Sequence, residues 1–208
     1  MNVLGISGSP RKGHSTDKVV QEVLSTVGVE TEFISLAGKK IGPCIACLGC
    51  VEDNICKVND DLKPLRDKII EADAYVIGGA NYYSMLNALT HCFMERFYQF
   101  RHLEGQGVAG KLGVAVGVGG STGDSVVENL KTFFQYNQIE CVGSVSVQGA
   151  ASCFTCGHGP ECRVGAIHMF FGPDAEITPD MIPCPESQPD KMDEARELGR
   201  LLTQRLTK

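Results

Sequence analysis

Short apolar segments alternate with amphipathic segments along most of this chain, and that rhythm limits the folds it can adopt. Segments with the apolar spacing of a helix occur at residues 16–26, 62–70, 89–100 and 125–136. The apolar segments predicted as strands lie between and around them, at residues 2–6, 30–36, 74–78, 112–118 and 141–147. Five strands that alternate with helices predict an α/β fold with a parallel sheet covered by helices on both faces.

Two segments interrupt this rhythm. The first is a compact cysteine loop at residues 42–59, and the second is an irregular excursion at residues 149–188 that is rich in Gly, Pro and Cys. Residues 189–206 return to helical spacing and are expected to pack back on the sheet. We therefore expect residues 1–208 to form a single domain with a cysteine-rich loop and an irregular C-terminal extension.

The loop between the first strand and the first helix has the character of a phosphate site. Backbone N–H groups and the positive end of a helix favour an anion at such a position. Hydroxyl groups and a guanidinium in this loop suit a phosphate, and they belong to Ser7, Ser9, Ser15, Thr16 and Arg11. The Rossmann G-x-G-x-x-G pattern is absent, and His14 replaces the lysine that an NTP-binding P-loop needs. The alternative is a polar turn without a ligand.

Two further loops follow the third and fourth predicted strands. In an open parallel sheet, ligands bind beyond the carboxyl ends of the strands. The segment at residues 78–85 carries Tyr82 and Tyr83, which suit a flat aromatic ring, and residues 119–123 are rich in glycine. Each loop alone is a weak signal, and ordinary half-buried packing is the alternative for the two tyrosines.

Together, the three loops resemble those of the NADPH-dependent FMN reductase family, which has the flavodoxin-like fold. Gly5–Arg11 resembles the phosphate loop of the family, Gly79–Tyr83 its isoalloxazine loop and Gly119–Ser121 its third loop. Glu95–Arg96 stands where the family usually has Asp-Arg. The resemblance covers about residues 1–150. Two departures concern the ring contacts, since Ala80 replaces the usual proline and His91 replaces a common lysine.

The resemblance implies a three-layer sandwich whose five parallel strands have the order 2-1-3-4-5. It also implies a bound FMN. The residues expected to hold this FMN come from the three loops, and they are Ser7, Ser9, Pro10, Arg11, Ser15, Thr16, Ala80, Asn81, Tyr82, Tyr83, Gly119, Gly120 and Ser121.

Four cysteines within thirteen residues form the strongest local signal for metal binding. Cys44, Cys47, Cys50 and Cys56 have the spacing C-x2-C-x2-C-x5-C, which is close to the compact run of bacterial ferredoxins and favours a [4Fe–4S] cluster. A zinc site is one alternative, although zinc sites usually pair two C-x2-C knuckles. Free or transiently oxidised thiols are another. The arrangement resembles the iron–sulfur flavoproteins, a branch of the same family. There, as the resemblance implies, the loop holds the cluster near the flavin of a neighbouring subunit.

A second group of cysteines lies in the excursion. Cys153, Cys156 and Cys162 have the spacing C-x2-C-x5-C, and Cys184 is a candidate for a fourth ligand. His158 and His168 are alternative ligands. The sequence leaves a second metal centre open beside a reduced loop or a redox-active pair.

Charge, hydrophobicity and cysteine content argue against some classes of function and location. A net charge of −6 argues against a general binder of nucleic acid. No apolar run of about 18 residues is present, which argues against a membrane span. Ten cysteines without a signal-peptide pattern indicate a reducing, cytoplasmic location.

We predict an FMN- and iron–sulfur-containing oxidoreductase that passes electrons from ferredoxin or NAD(P)H to an acceptor. The resemblance implies a homodimer or homotetramer. One alternative is an NAD(P)H-dependent FMN or quinone reductase whose cysteines are structural. Another is a non-enzymatic electron carrier.

Overall fold

The computed structural model describes residues 1–102, 107–172 and 174–208. Its strands are β1 (Asn2–Ser7), β2 (Glu30–Ser35), β3 (Ala74–Tyr82), β4 (Met85–Leu86), β5 (Leu112–Gly119) and β6 (Glu140–Gln148). The strands β2-β1-β3-β5-β6 are parallel neighbours in that order. This order confirms the predicted 2-1-3-4-5 arrangement of five parallel strands. β4 is an addition to the prediction and pairs antiparallel with the end of β3.

Helices cover both faces of the sheet. They are α1 (Ser15–Leu24), α2 (Arg66–Glu71), α3 (Ala88–Glu95), α4 (Asp124–Tyr136), α5 (Ala166–Phe171) and α6 (Pro189–Leu206). α1 and α6 pack on one face, while α2, α3 and α4 pack on the other. The predicted three-layer sandwich is therefore confirmed. No helix in the described parts of the chain combines the length and the apolar character that a membrane crossing requires.

The central strands bury side chains on both faces because both faces are covered. In β1, Val3 packs against α1 and α6, whereas Leu4 and Ile6 pack toward α2 and α3. On the second face, an aromatic cluster packs Phe93, Phe97, Phe100 and Phe133 edge to face, and Phe134 packs against Phe133 at a tilt. Each large apolar side chain buried in this way stabilises the fold by about 1.5–3 kcal/mol relative to exposure.

Three elements differ from the sequence prediction, and one of them is the helix predicted at residues 62–70, which is a 3₁₀ segment, Lys63–Leu65, followed by α2. β3 continues to Tyr82, because Tyr82 pairs with Met85 across a two-residue hairpin turn. Tyr83 and Ser84 form that turn with φ of 58° and 60°, as a type I′ hairpin turn requires. The predicted long helix at residues 89–100 is α3 followed by a tighter 3₁₀ segment, Arg96–Phe100.

The excursion is irregular, as predicted, but contains the short helix α5 and several 3₁₀ turns. Residue 173 lies outside the described residues. Gln188 ties the two ends of the excursion together, since its Nε2 donates hydrogen bonds to the carbonyl oxygens of Gln148 (2.7 Å) and Cys184 (2.9 Å). α6 then packs on the sheet beside α1, as expected.

Candidate functional site

A cavity of about 550 Å³ lies at the carboxyl ends of β1, β3 and β5. The predicted flavin residues line it, apart from Ser7 and Pro10. They are Ser9, Arg11, Ser15, Thr16, Ala80, Asn81, Tyr82, Tyr83, Gly119, Gly120 and Ser121. Ser7 is buried at the end of β1, and its Oγ has no hydrogen-bond partner among the described residues. Pro10 is exposed to solvent. The topology therefore brings the three predicted loops to one place.

The first turn of α1 forms one end of the cavity. The Lys18 amide donates the first intrahelical hydrogen bond to the His14 carbonyl (3.1 Å). The amides of Ser15 and Thr16 precede that bond, so they can donate to an anion in the cavity. Arg11 also lines the cavity. Its Nη2 donates to the Ala150 carbonyl (2.9 Å), which joins the loop after β1 to the excursion.

Asn87 connects the loop after β1 to the hairpin after β3. The sequence did not indicate this role. Its Nδ2 donates to the Gly8 carbonyl (2.8 Å), and its Oδ1 accepts from the Ala80 amide (2.9 Å). The Thr90 hydroxyl donates to the same Oδ1 (2.7 Å). Asn87 is buried, so these bonds are shielded from water and hold the phosphate loop against the hairpin. An Asn directly before a helix is a common cap residue, and the sequence alone shows no more than that.

Close backbone packing shapes the glycine loop after β5. A Cβ on Gly119 would lie 2.0 Å from the Thr122 carbonyl oxygen, so a side chain does not fit there. Asn81 Nδ2 donates to the same carbonyl (2.8 Å). The Gly149 amide donates to the Gly119 carbonyl (2.9 Å). These contacts hold the glycine loop between the hairpin and the start of the excursion.

The excursion supplies the remaining wall of the cavity, which was not predicted. Its lining residues are mostly small or apolar, and they are Gly149, Ala150, Ala151, Ser152, Cys153, Ala166, Met169 and Phe170. The hairpin also contributes Tyr82 and Tyr83 to the lining, and Tyr83 is 95% exposed. These apolar and aromatic lining residues suit a flat ring.

The four cysteines of the compact loop line a second, small cavity. Cys44, Cys47, Cys50 and Cys56 all contribute to it, together with Arg96 and Gln99. The loop backbone takes left-handed conformations at three residues other than glycine, namely Ala46 (φ 51°), Leu48 (φ 57°) and Asn54 (φ 54°). Such conformations cost energy and persist where the surrounding structure enforces them.

Side chains at the end of α3 hold this cysteine loop. The Cys44 amide donates to Glu95 Oε2 (3.0 Å), and the Cys56 amide donates to Gln99 Oε1 (3.1 Å). Arg96 Nε donates to Cys56 Sγ (3.3 Å). The Glu95–Arg96 pair, singled out in the sequence by resemblance alone, therefore serves the cysteine loop.

Arg96 also forms a buried ion pair with Asp60, at 2.5 Å from Nη1 to Oδ2. Burial alone would raise the pKa of Asp60. The hydrogen bond and charge of Arg96, with the amides of Gly42 and Leu62, outweigh burial and hold the Asp60 pKa below its usual value. This ion pair fixes the base of the cysteine loop to the 3₁₀ segment after α3.

The sulfurs of the loop lie close enough to influence one another. Burial raises the pKa of the Cys50 thiol. A backbone hydrogen bond opposes this rise, and the charges of Cys56, Cys44 and Cys47 each add a smaller increase. All four cysteines are free thiols. Among the described residues, no group of three or more His, Cys, Asp or Glu side chains is arranged to hold a metal ion.

The two cavities lie at opposite ends of α3. Asn87 precedes the helix beside the large cavity, and Glu95 ends it beside the cysteine loop. Eight residues of helix span about 12 Å. No described residue lines both cavities. Both predicted sites follow carboxyl ends of the sheet, but they do not meet within one chain.

Comparison with known proteins shows the family of this chain. The sequence profile of NADPH-dependent FMN reductases matches residues 1–152. An iron–sulfur flavoprotein of Methanocaldococcus jannaschii is 36% identical over 149 residues, which are 69% of this chain and 76% of that protein. The chain belongs to the NADPH-dependent FMN reductase family, in its iron–sulfur flavoprotein branch. Family membership makes it a flavin-dependent oxidoreductase of the electron-transfer type.

Solved structures agree on the fold of this family member. The chain is similar to a flavodoxin from the domain Archaea, with a TM-score of 0.55, 13% sequence identity and coverage of 100% of each chain. It is also similar to RosB, with a TM-score of 0.65, 15% identity and coverage of 98% of this chain and 76% of that one. At these identities the likeness concerns the fold alone, which is flavodoxin-like as predicted.

The second cysteine group lies beyond the residues that match the family profile. Cys153 lines the large cavity, and its Sγ accepts a hydrogen bond from the Ala166 amide (3.3 Å). Cys156 is exposed, whereas Cys162 and Cys184 are half-buried. This flavodoxin-like oxidoreductase therefore carries a thiol, that of Cys153, in the wall of its main cavity, beyond the residues of the family match.

Proposed function

We propose that this oxidoreductase carries FMN in the large cavity and a [4Fe–4S] cluster on Cys44, Cys47, Cys50 and Cys56. It would pass electrons from ferredoxin or NAD(P)H to an acceptor. The observation that carries this proposal is the presence, in one chain, of a cavity with an anion-ready helix start and of four cysteines around a second cavity.

The large cavity fits FMN in size and in chemistry. Its volume of about 550 Å³ lies within the usual range of small-molecule sites. The amides of the first turn of α1, the Ser9 and Ser15 hydroxyls and the Arg11 guanidinium suit a phosphate. The Met169, Phe170 and Tyr82 side chains suit the apolar ring. One terminal phosphate matches one helix start, which favours FMN over a dinucleotide.

The cysteine loop fits an iron–sulfur cluster by its donor set. Four thiols from one loop face one cavity, and Cys56 Sγ already receives a hydrogen bond from Arg96. Hydrogen bonds to sulfur are among the features that tune cluster potentials. A cubane holds its thiolates at separate corners, so they lie farther apart than ligands around a single ion.

When bound, flavin and cluster supply two-electron and one-electron chemistry respectively. The chain's own residues would position the two cofactors. Asn87 holds the loops around the flavin cavity, while Arg96 and Glu95 hold the cysteine loop. The protein would act in the cytoplasm, where reducing conditions keep cysteines from forming disulfides, and none of the ten cysteines forms one here.

Exposed apolar residues near both cavities support a homodimer or homotetramer. Ile45 and Leu48 of the cysteine loop are 66% and 67% exposed, and Met85 in the hairpin is 62% exposed. Exposed apolar patches of this kind commonly mark protein contacts. Since the two cavities do not meet within one chain, association of chains would offer a route between them.

Two variants test the two cofactor sites separately. Combined replacement of Ser9, Arg11 and Ser15 by Ala should abolish FMN retention, while Cys47→Ala should remove or convert the cluster and leave FMN bound. Cys141→Ala, at an exposed cysteine in the last strand, is the matched control and should change neither. The measurements are FMN, iron, sulfide and zinc contents of anaerobically purified protein.

Each outcome decides between the alternatives. If the triple variant keeps its FMN, the cavity is not the flavin site. If Cys47→Ala keeps its iron and its rate of one-electron transfer, a plain FMN or quinone reductase is the better interpretation. Multiple turnover with NAD(P)H and a small-molecule acceptor would separate an enzyme from an electron carrier.

A further inference from the structure

The second cysteine group repeats a spacing found in the first. Cys153, Cys156 and Cys162 have the spacing C-x2-C-x5-C, and the last three cysteines of the compact loop have the same spacing. We propose that these three cysteines bind a second iron–sulfur cluster in the wall of the flavin cavity, with Cys184 as the fourth thiolate. The site itself stands on its own cysteines, and only its role beside a flavin rests on the function proposed above.

The structure gathers these sulfurs around one short stretch of backbone. The Ala166 amide donates to Cys153 Sγ (3.3 Å), and Cys156 Sγ lies 3.7 Å from the Cys153 carbonyl oxygen. Cys162 Sγ lies close to Gly165, the residue directly before Ala166. A Cβ added at Gly165 would be 3.4 Å from that sulfur. The sulfurs of Cys153 and Cys162 therefore both lie beside residues 165–166, and the sulfur of Cys156 lies beside the backbone of Cys153.

Gln188 links the backbone of Cys184 to the start of the excursion. The Gln188 side chain bonds to the Cys184 carbonyl and to both backbone polar groups of Gln148. Gln148 immediately precedes the residues that line the cavity. The backbone of Cys184, 22 positions after Cys162 in the chain, is thus held near the start of the excursion, and the residue is half-buried.

The position of this group relative to the flavin cavity differs from that of the first group. Cys153 lines the flavin cavity, as do its neighbours Ala151 and Ser152. The cysteines of the compact loop line no part of it. A cluster at Cys153 would therefore adjoin the flavin of its own chain. One electron would leave the reduced flavin and enter the cluster, without any bond being made or broken.

Ligand spacing favours an iron–sulfur cluster over zinc. Structural zinc sites usually combine two C-x2-C pairs, whereas this segment has one such pair, Cys153 and Cys156, followed by an isolated Cys162. The hydrogen bond from an amide to Cys153 Sγ is a feature that tunes the potentials of cluster thiolates. The competing outcomes are a zinc site and a dithiol that oxidises to a disulfide.

The experiment counts iron, acid-labile sulfide and zinc in four forms of the protein purified anaerobically. The wild type should hold about eight iron and eight sulfide per chain, corresponding to two [4Fe–4S] clusters. Cys156→Ser and Cys47→Ala should each hold about four. Cys141→Ser, the control, should match the wild type. FMN content and circular dichroism establish that each variant is folded, and Cys162→Ser replaces Cys156→Ser if the latter does not fold.

Cluster spectra give a second measurement. Electron paramagnetic resonance of the dithionite-reduced wild type should show two interacting clusters, and Cys156→Ser should show the signal of one. If Cys156→Ser retains the iron and sulfide of the wild type, the proposal is overturned. Loss of zinc instead of iron, or a disulfide among these cysteines without iron, would also overturn it. If Cys156→Ser loses iron while Cys47→Ala keeps the full iron content of the wild type, the second site is supported and the first is refuted.

Discussion

Replacing Asp60 by Asn removes the charge that faces Arg96 while keeping the shape of the side chain. The Arg96 side chain is only 1% exposed and that of Asp60 is 12% exposed. Removal of one partner from a buried ion pair costs about 3–5 kcal/mol, because the remaining charge stays buried without compensation. The Gly42 and Leu62 amides donate to different oxygens of Asp60, so the single oxygen of Asn keeps only one of these bonds, and the expected cost is at least about 3 kcal/mol.

This cost converts into a shift of the melting temperature. For a chain of about 200 residues, each kcal/mol lowers the midpoint by about 2–4 °C. Asp60→Asn should therefore melt about 6–12 °C below the wild type. Because Arg96 also donates to Cys56 Sγ, the variant should lose iron faster during an anaerobic chelator challenge.

The effect should depend on pH in one direction. The folded-state pKa of Asp60 is lowered, so its charge stabilises the fold fully above the unfolded value of about 3.9. That contribution is lost as the pH falls through the lower, folded value. The difference between wild type and Asp60→Asn should thus be constant from about pH 5 to 8 and shrink below about pH 4.

The assay is thermal unfolding followed by circular dichroism under anaerobic conditions, with Asp67→Asn as the matched control. Asp67 also pairs with an arginine, Arg66, at 3.0 Å, but its side chain is 79% exposed. Exposed pairs contribute little, so this control should melt within about 2 °C of the wild type. If Asp60→Asn behaves like the control, or if its deficit grows on acidification, the ion pair does not hold the cysteine loop.

Three further predictions concern the flavin cavity. Asn87→Ala should destabilise the protein by about 2–3 kcal/mol and speed FMN release, measured by melting and flavin fluorescence; unchanged release would refute its role in holding the loops. Gly119→Ala should weaken FMN binding about tenfold or more, because its Cβ would overlap a carbonyl oxygen at 2.0 Å, whereas Gly107→Ala, with its closest neighbours at 3.8 Å, should not. Tyr83→Asn combined with Ser84→Gly should raise the melting temperature by relieving left-handed strain of about 1 kcal/mol per residue, and a lower value would argue against the hairpin turn.

The sequence by itself determined the features that depend on residues close together in the chain. The periods of two and of about three and a half residues identified the strands and helices, because side chains repeat at those intervals in each. The strand–loop–helix unit expected to hold a phosphate could be located because a strand, a glycine-containing turn and a helix start follow one another directly. The compact cysteine loop was predictable because its four thiols lie within thirteen residues, so the chain holds them together in any fold.

Tertiary structure decided what depends on residues far apart in the chain. Arg11 meets Ala150 across 139 positions, and Arg96 meets Asp60 across 36. No local period encodes such contacts, so the excursion was expected to be irregular but not to form a wall of the cavity. The separation of the two cavities along α3 was likewise invisible in the sequence. Loops at the carboxyl end of a sheet share an edge by topology, but the helix packed between them determines how far apart their side chains lie.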